Sequence, residues 1–338
     1  MNQNFILIPL TNIPLTRRGQ GNVCQGNGFQ IFVRTIFNFN LLVLFFVIGS
    51  TACAVEPKVI DLWPEGVPNL NTNLSGDKVV SNRIVSVQKP SMLVFAPDAT
   101  NDAHTAVVFC SGGGYVRISV PNDGGALTRA MTAQGLTVFM LKYRLSDYGH
   151  PAPLQDVLRA VRLVRSRAAE FGIRPDRIGV MGASAGGHLA ACAATLWDSP
   201  TGKTGAELDA VSARPDFAVL IYPVITMADK FVHKGSRDAL LGKSPKPEVL
   251  EELSVEKHVR KDSPPMFLAA TMADKTVPVE NSLHFYQALR DAGVPAELHV
   301  YAQGSHGNSL DPQYGPTAEW PKRLEEWLRF NGWLNQSN

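Results

Sequence analysis

The 338-residue sequence has few cysteines, little net charge and no sequence repeat. Four cysteines are too few for a disulfide scaffold, and the two beyond the N-terminal region, Cys110 and Cys192, lie in apolar or small-residue segments where we expect them buried. A formal charge of +2, without a basic run or acidic tail, argues against nucleic acid as a partner. Because no metal-ligand spacing or cofactor motif is present, we predict neither a metal nor a cofactor.

The N-terminal region, residues 1–54, contains no acidic side chain. Three arginines come before an apolar run, Ile36–Gly49, and an A-x-A motif stands at residues 52–54. This order predicts a secretory leader. Its cleavage leaves a single domain, 55–338, that is periplasmic or secreted and not inserted in a membrane. An uncleaved anchor and lipidation at Cys53 are the alternatives.

The most informative stretch is Arg177–Leu196, where a short apolar strand is followed by the pattern G-x-S-x-G and a small-residue helix. A sharp turn between strand and helix exposes the central serine, here Ser184, above the helix N-terminus. Free backbone N–H groups at that end favour developing negative charge. We therefore predict that Ser184 is a catalytic nucleophile. An idle serine in a glycine-rich turn is the alternative.

A second glycine cluster follows an apolar strand predicted at Thr105–Cys110. In hydrolases of this kind the loop at that position supplies part of the oxyanion hole. We assign the backbone N–H groups of Gly113 and Gly114 to it, together with that of Ala185. The next side chain, Tyr115, is a candidate substrate contact.

An acid and a base follow later strands. Asp274 comes directly after a predicted strand, and His306 lies on a glycine-flanked loop after the last strand. The chain order Ser, Asp, His is that of α/β-hydrolases, so we predict a Ser184–His306–Asp274 catalytic triad. Asp262 and Asp311 are alternative acids. His188, one turn after the serine, is predicted to be a packing residue, and His233 is a candidate substrate contact.

Strands and helices alternate after Thr105, which predicts a mostly parallel sheet of about eight strands with helices on both faces. Two opening strands are predicted at Arg83–Gln88 and Ser91–Ala96, preceded by an irregular arm. Residues 226–262 interrupt the alternation and are a candidate cap or lid. A long helix beginning at Pro153 carries four arginines largely off its apolar stripe, and we expect that face to be exposed.

Seven short motifs extend this interpretation: DLWPEG at 61–66, GGGY at 112–115, LKYR at 141–144, HPAPLQD at 150–156, GASAGGH at 182–188, ADKTVP at 273–278 and GSHG at 304–307. In these segments the chain resembles secreted bacterial acetyl xylan esterases, which are α/β-hydrolases related to bifunctional feruloyl/acetyl-xylan esterases. One departure is Ser111, where related esterases often carry proline or histidine. The resemblance implies an α/β-hydrolase fold with a small cap. It also implies hydrolysis of short-chain acyl esters, above all acetyl esters of carbohydrate such as acetylated xylan.

Two other functions fit the same fold. A serine peptidase of the prolyl-oligopeptidase type usually carries a propeller domain, for which the residues before the first strands are too few. A non-catalytic carbohydrate-binding protein could use tryptophans on its surface, and Trp63, Trp197 and Trp320 are the candidates. No paired-carboxylate glycosidase site can be argued from the sequence.

Overall fold

The computed structural model describes residues 58–119, 125–228, 230–307 and 310–335. The predicted leader, residues 1–54, lies outside the described residues. Val55–Asn338 forms one compact unit. Within the described ranges, no helix combines the length and the apolar character needed to cross a membrane.

The described ranges contain ten strands, eight of which form one sheet. In chain order they are β1 (Lys58–Asp61), β2 (Lys78–Val80), β3 (Arg83–Ser86), β4 (Ser91–Phe95), β5 (Thr105–Cys110), β6 (Leu136–Lys142), β7 (Ile178–Ala183), β8 (Ala218–Ile221), β9 (Met266–Thr271) and β10 (Ala296–Tyr301). The large sheet has the order β1-β4-β6-β5-β7-β8-β9-β10. Strands β1 and β4 are antiparallel to their neighbours, and the other six run parallel. The prediction of a mostly parallel sheet is confirmed.

Helices cover both faces of this sheet, as predicted. They are α1 (Gly125–Ala133), α2 (Ala152–Ser166), α3 (Ala185–Thr195), α4 (Lys234–Leu241), α5 (Pro247–Glu252), α6 (Glu280–Asp291) and α7 (Trp320–Phe330). Alternate residues of β5 enter two separate apolar clusters, one shared with α2, α3 and α6 and the other with α1 and α7. Because successive strand residues point to opposite faces, the two clusters lie on opposite faces of the sheet.

The strand register brings the carboxyl ends of the parallel strands to one edge. Cys110, the last residue of β5, pairs with Gly182 of β7, and Ala183 pairs with Ile221, the last residue of β8. Tyr301 at the end of β10 pairs with Thr271 at the end of β9. Ligands of open parallel sheets bind beyond this edge.

Two details of the opening segment differ from the prediction. The arm before Arg83 contains β1, whose exposed–exposed–buried–exposed pattern gives little periodicity to recognise. The strand predicted at Arg83–Gln88 is the shorter β3, which pairs with β2 in a separate two-stranded sheet. All three residues of β2 are exposed, so no apolar alternation marked it.

The expectation that the arginine face of α2 is exposed is wrong for two of its four arginines. Arg159 and Arg162 are buried and pair with Glu65 and Asp209. A buried guanidinium is tolerated because a carboxylate and backbone carbonyls satisfy its donors. The opposing segments that supply these acceptors are distant in sequence, so helical periodicity could not reveal them.

Candidate active site

Ser184 stands in a strained turn between β7 and α3. Its backbone has φ 57° and ψ −125°, a conformation that residues other than glycine rarely adopt. The turn depends on two glycines. A Cβ added at Gly182 would lie 2.0 Å from the carbonyl oxygen of Gly186, and one at Gly186 would lie 2.1 Å from the carbonyl oxygen of Cys110. The first and last positions of the G-x-S-x-G pattern therefore require glycine.

The structure brings together the three residues predicted as a triad. The Oγ atom of Ser184 lies 2.7 Å from Nε2 of His306, and Nδ1 of His306 lies 2.6 Å from Oδ2 of Asp274. A carboxylate only accepts hydrogen bonds, so Nδ1 carries a hydrogen and donates a hydrogen bond to Asp274. Nε2 is then free to accept the hydroxyl proton of Ser184. The alternative acids have other partners, since Asp262 pairs with Arg260 and Asp311 accepts from the backbone N–H of Gln313.

Asp274 is held in its ionised form. Its side chain is 2% exposed. Burial opposes ionisation, but the hydrogen bond from His306 and those from the backbone N–H groups of Val277 and Thr276 outweigh it, and the pKa of Asp274 lies below its ordinary value. The two backbone bonds measure 3.0 and 2.8 Å, both to Oδ1. Oδ2 is thereby left to orient the imidazole.

The loop that carries His306 is fixed by two threonines. The hydroxyl of Thr271, at the end of β9, donates to the carbonyl of Gly304 at 2.7 Å, and that of Thr317 donates to the carbonyl of Gln303 at 2.6 Å. Tyr222 packs its ring edge-on against the imidazole at 4.8 Å between centroids. Tyr222 directly follows β8, so the rule that selected Asp274 would also have selected it, but we did not predict it.

The glycine loop after β5 lies against Ser184. Gly113 and Gly114 have φ values of 139° and 66°, which strongly favour glycine, and both line the cavity at the triad. A Cβ at Gly112 would lie 3.0 Å from Cβ of Ser184, so this third glycine sets the closest approach of the loop. Ala185 is buried at the first position of α3. The three predicted oxyanion-hole residues thus belong to the loop and the helix end that flank Ser184.

A cavity of about 660 Å³ opens at the triad. Its lining includes Ser184 and His306, the glycine loop and apolar side chains on several elements. The apolar members are Phe109, Val116, Ala126, Leu127, Ala183, Ile221, Leu310 and Trp320. A pocket that is largely apolar with a few convergent polar groups suits a small organic ligand.

His233, a predicted substrate contact, lines this cavity at the N-terminus of α4. Its Nδ1 accepts from the backbone N–H of Ser236 at 3.2 Å and lies 2.8 Å from the hydroxyl of that residue. Burial, followed by the nearby His306, lowers the pKa of His233, while Asp274 opposes the shift. Since Nδ1 is an acceptor, the neutral ring carries its proton on Nε2.

Tyr115, the other predicted substrate contact, requires a correction. Its side chain is 1% exposed and is not part of the cavity lining. A left-handed backbone with φ 62° accompanies a side chain directed into the core, where its hydroxyl lies 2.7 Å from Nδ1 of His188. His188 is buried as expected, and its Nε2 donates to the carbonyl of Leu253 at 2.8 Å.

The remaining candidates are interior residues. Cys110 and Cys192 are buried free thiols, and burial raises the pKa of both. Trp63 and Trp197 are buried as well, each beneath arginine side chains, so neither offers a surface for carbohydrate. Trp320 lies in the wall of the cavity. Among the histidines, cysteines and acidic residues of the described ranges, no group of three could hold a metal ion.

The profile of the BD-FAE family matches residues 92–289 of this chain. An acetylxylan esterase from Xylanibacter ruminicola is 32% identical over 245 residues, an alignment that covers 71% of this chain and 48% of that protein. Endo-1,4-beta-xylanase B from Butyrivibrio fibrisolvens is 36% identical over 200 residues, and this alignment covers 58% of this chain and 31% of that protein. This chain therefore spans about half the length or less of these curated relatives.

A solved structure covers more of the chain. It is the acetyl ester-xyloside bifunctional hydrolase from Caldicellulosiruptor lactoaceticus, which is 36% identical and superimposes with a TM-score of 0.72. The match covers 83% of this chain and 100% of that one.

Proposed function

Because this chain belongs to the BD-FAE family of α/β-hydrolases, we propose that it is a serine esterase that removes short acyl groups, above all acetyl, from carbohydrate such as acetylated xylan. The observation that carries the proposal is the continuous hydrogen-bond chain from Ser184 through His306 to Asp274. The relatives and the solved structure named above support the substrate class.

In the first step Ser184 Oγ attacks the carbonyl carbon of the ester. Its proton passes to His306 Nε2, 2.7 Å away, as the new C–O bond forms. Asp274 holds the imidazole in the tautomer that can accept this proton and stabilises the imidazolium that results. Because Asp274 is ionised at neutral pH, it stabilises the imidazolium by its negative charge and does not take the proton itself.

The negative charge that develops on the carbonyl oxygen needs hydrogen-bond donors. We assign this role to the backbone N–H groups of Gly113, Gly114 and Ala185. Backbone donors held in place before the reaction are effective because they need no reorganisation, and the loss of one typically costs about 10²–10³ in rate. Gly112 supports them by allowing the loop to approach Ser184.

The second half of the reaction regenerates the enzyme. The bond between the carbonyl carbon and the sugar oxygen breaks as His306 gives its proton to that oxygen, so the sugar leaves with a free hydroxyl and the acetyl group stays on Ser184. Water, activated by the same imidazole, then attacks this ester, and acetate leaves as Ser184 recovers its proton.

Two further parts of the chain belong to the proposal. We assign residues 226–262 the role of a small cap, supported by His233 and Gly235 in the cavity wall. In this position the Nε2–H of His233 donates to a hydroxyl of the sugar. We also propose that residues 1–54 direct export, as a polysaccharide substrate outside the cytoplasm would require.

The proposal is tested by acetate release from acetylated xylan by the purified protein, beside 4-nitrophenyl acetate and a peptide substrate. Each assay includes a Ser184→Ala control. Serine-dependent release from xylan is the expected result. Turnover of the peptide instead of the esters would support the peptidase alternative, and xylan binding without any serine-dependent turnover would support a binding protein.

A further inference from the structure

Arg117 introduces a permanent positive charge into the cavity at the triad. Among the described residues of the lining it is the one side chain that is charged at every physiological pH. The lining also contains His233 and His306, and its other described residues are uncharged. A cation in a largely apolar cavity raises the question of what it binds.

Within the described ranges, the guanidinium of Arg117 has no protein partner. Its Nε atom is buried and makes no hydrogen bond, and no carboxylate of those ranges forms an ion pair with it. The contrast with α2 is clear, because there Arg159 and Arg162 each pair with a carboxylate. An unsatisfied buried donor costs free energy, and more when it is charged, unless a ligand completes it.

The backbone of Arg117 is held firmly against the glycine loop. Its N–H donates to the carbonyl of Gly113 at 3.2 Å, and its Cγ lies 2.8 Å from where a Cβ of Gly113 would stand. The next residue, Ile118, exchanges two backbone hydrogen bonds with Ile84, of 2.8 and 3.2 Å. The guanidinium therefore projects from a fixed support that is continuous with the proposed oxyanion loop.

We propose that Arg117 binds a carboxylate on the substrate, so that the preferred esters are acidic. The inference rests on the proposed esterase function. A guanidinium offers N–H donors in a planar fork that matches the two oxygens of a carboxylate. The carboxylate belongs either to the acyl group or to a uronic acid in the carbohydrate, and both would meet the same guanidinium in the cavity wall.

Two pairs of substrates separate these sources. For the acyl group, mono-4-nitrophenyl succinate is compared with its methyl ester, which lacks the charge. For the sugar, mono-O-acetyl methyl glucuronoside is compared with mono-O-acetyl methyl glucoside. The wild-type protein is expected to show a higher kcat/KM for the acidic member of one pair, by about 10- to 100-fold, the range of a charge-assisted hydrogen bond.

Arg117→Met keeps an unbranched stem over Gly113 and removes the charge and the fork. We expect the acidic-to-neutral ratio of kcat/KM to fall by about 10- to 100-fold. Arg117→Lys keeps the charge without the planar fork, so its acidic-to-neutral ratio should lie between those of the wild-type protein and Arg117→Met. Arg290→Met removes an arginine that is 64% exposed on α6, and it should leave the ratio within about twofold of wild type.

Hydrolysis of 4-nitrophenyl acetate that requires Ser184 reports on the proposed esterase function separately. If that hydrolysis is present while the wild-type protein favours the acidic member of neither pair, the carboxylate proposal is overturned. An unchanged ratio in Arg117→Met would overturn it as well. If no ester is hydrolysed in a Ser184-dependent reaction, the esterase function itself is wrong.

Discussion

The hydroxyl of Tyr115 and Nδ1 of His188 form a 2.7 Å hydrogen bond that joins the glycine loop to the helix behind Ser184. The ring of His188 completes its bonding through Nε2, which donates to the carbonyl of Leu253 at 2.8 Å. Since a carbonyl only accepts, Nδ1 is the unprotonated nitrogen and the Tyr115 hydroxyl is the donor. One neutral imidazole thus links three segments: the glycine loop, α3 and the 226–262 insertion.

The Tyr115→Phe substitution should destabilise the protein by about 1–3 kcal/mol, because it leaves a buried acceptor on His188 without a donor. Urea unfolding at neutral pH measures the effect. Tyr286→Phe, at a half-buried position on α6, is the matched control and should change the free energy of unfolding by less than about 0.5 kcal/mol. Equal stabilities of Tyr115→Phe and the control would argue against this link.

His188 should also make stability depend on pH. Burial lowers its pKa in the folded protein from 6.5 to about 4. Between these values the unfolded chain binds a proton that the folded protein excludes, so stability falls as the pH decreases, by about 3 kcal/mol in total. This loss begins near the unfolded pKa and is complete below the folded one.

Urea unfolding at several pH values between about 7 and 4 measures this loss. The His188→Gln variant, which cannot titrate, should be less stable at neutral pH and should lose less stability on acidification. If the free energy of unfolding depended on pH equally in the wild-type protein and in His188→Gln, the pKa of His188 would not be lowered by folding.

Asp274→Asn should lower kcat by about 10³–10⁴-fold with a small change in KM, since the neutral amide no longer enforces the productive tautomer of His306. Initial rates with 4-nitrophenyl acetate measure this. Asp262→Asn changes an exposed acid that pairs with Arg260, and it should retain nearly full activity. If the two variants lost activity equally, the assignment of the acid would be wrong.

The elbow and the order of the triad could be predicted because each depends on a local pattern at the end of a strand. Ser184 and Asp274 follow β7 and β9, which are fully buried apolar runs readable in the sequence, and His306 follows β10, a partly exposed strand at the edge of the sheet. Tyr115 could not be placed, because its positive φ and its partner His188 depend on the packing of the glycine loop against α3. For the same reason the burial of Arg159 and Arg162 was missed, as their acceptors come from other segments.

His233→Asn should raise KM for acetylated xylan several-fold while changing kcat/KM for 4-nitrophenyl acetate much less. Asparagine is a good N-cap, so the variant retains the support of α4 that Nδ1 of His233 gives through Ser236. It loses only the reach of the ring into the cavity. Equal effects on both substrates would mean that His233 has a structural role and does not bind the sugar.

The central claim, that Ser184 is the nucleophile, is tested most directly by covalent labelling with an organophosphate ester such as paraoxon, followed by peptide mass spectrometry. We expect one diethylphosphoryl group per chain, located on Ser184, with loss of esterase activity in proportion to labelling. Ser119→Ala, which removes another serine of the cavity wall, should be labelled as the wild-type protein is. A label on Ser111 or Ser119, or full esterase activity after Ser184 has been labelled, would contradict the claim.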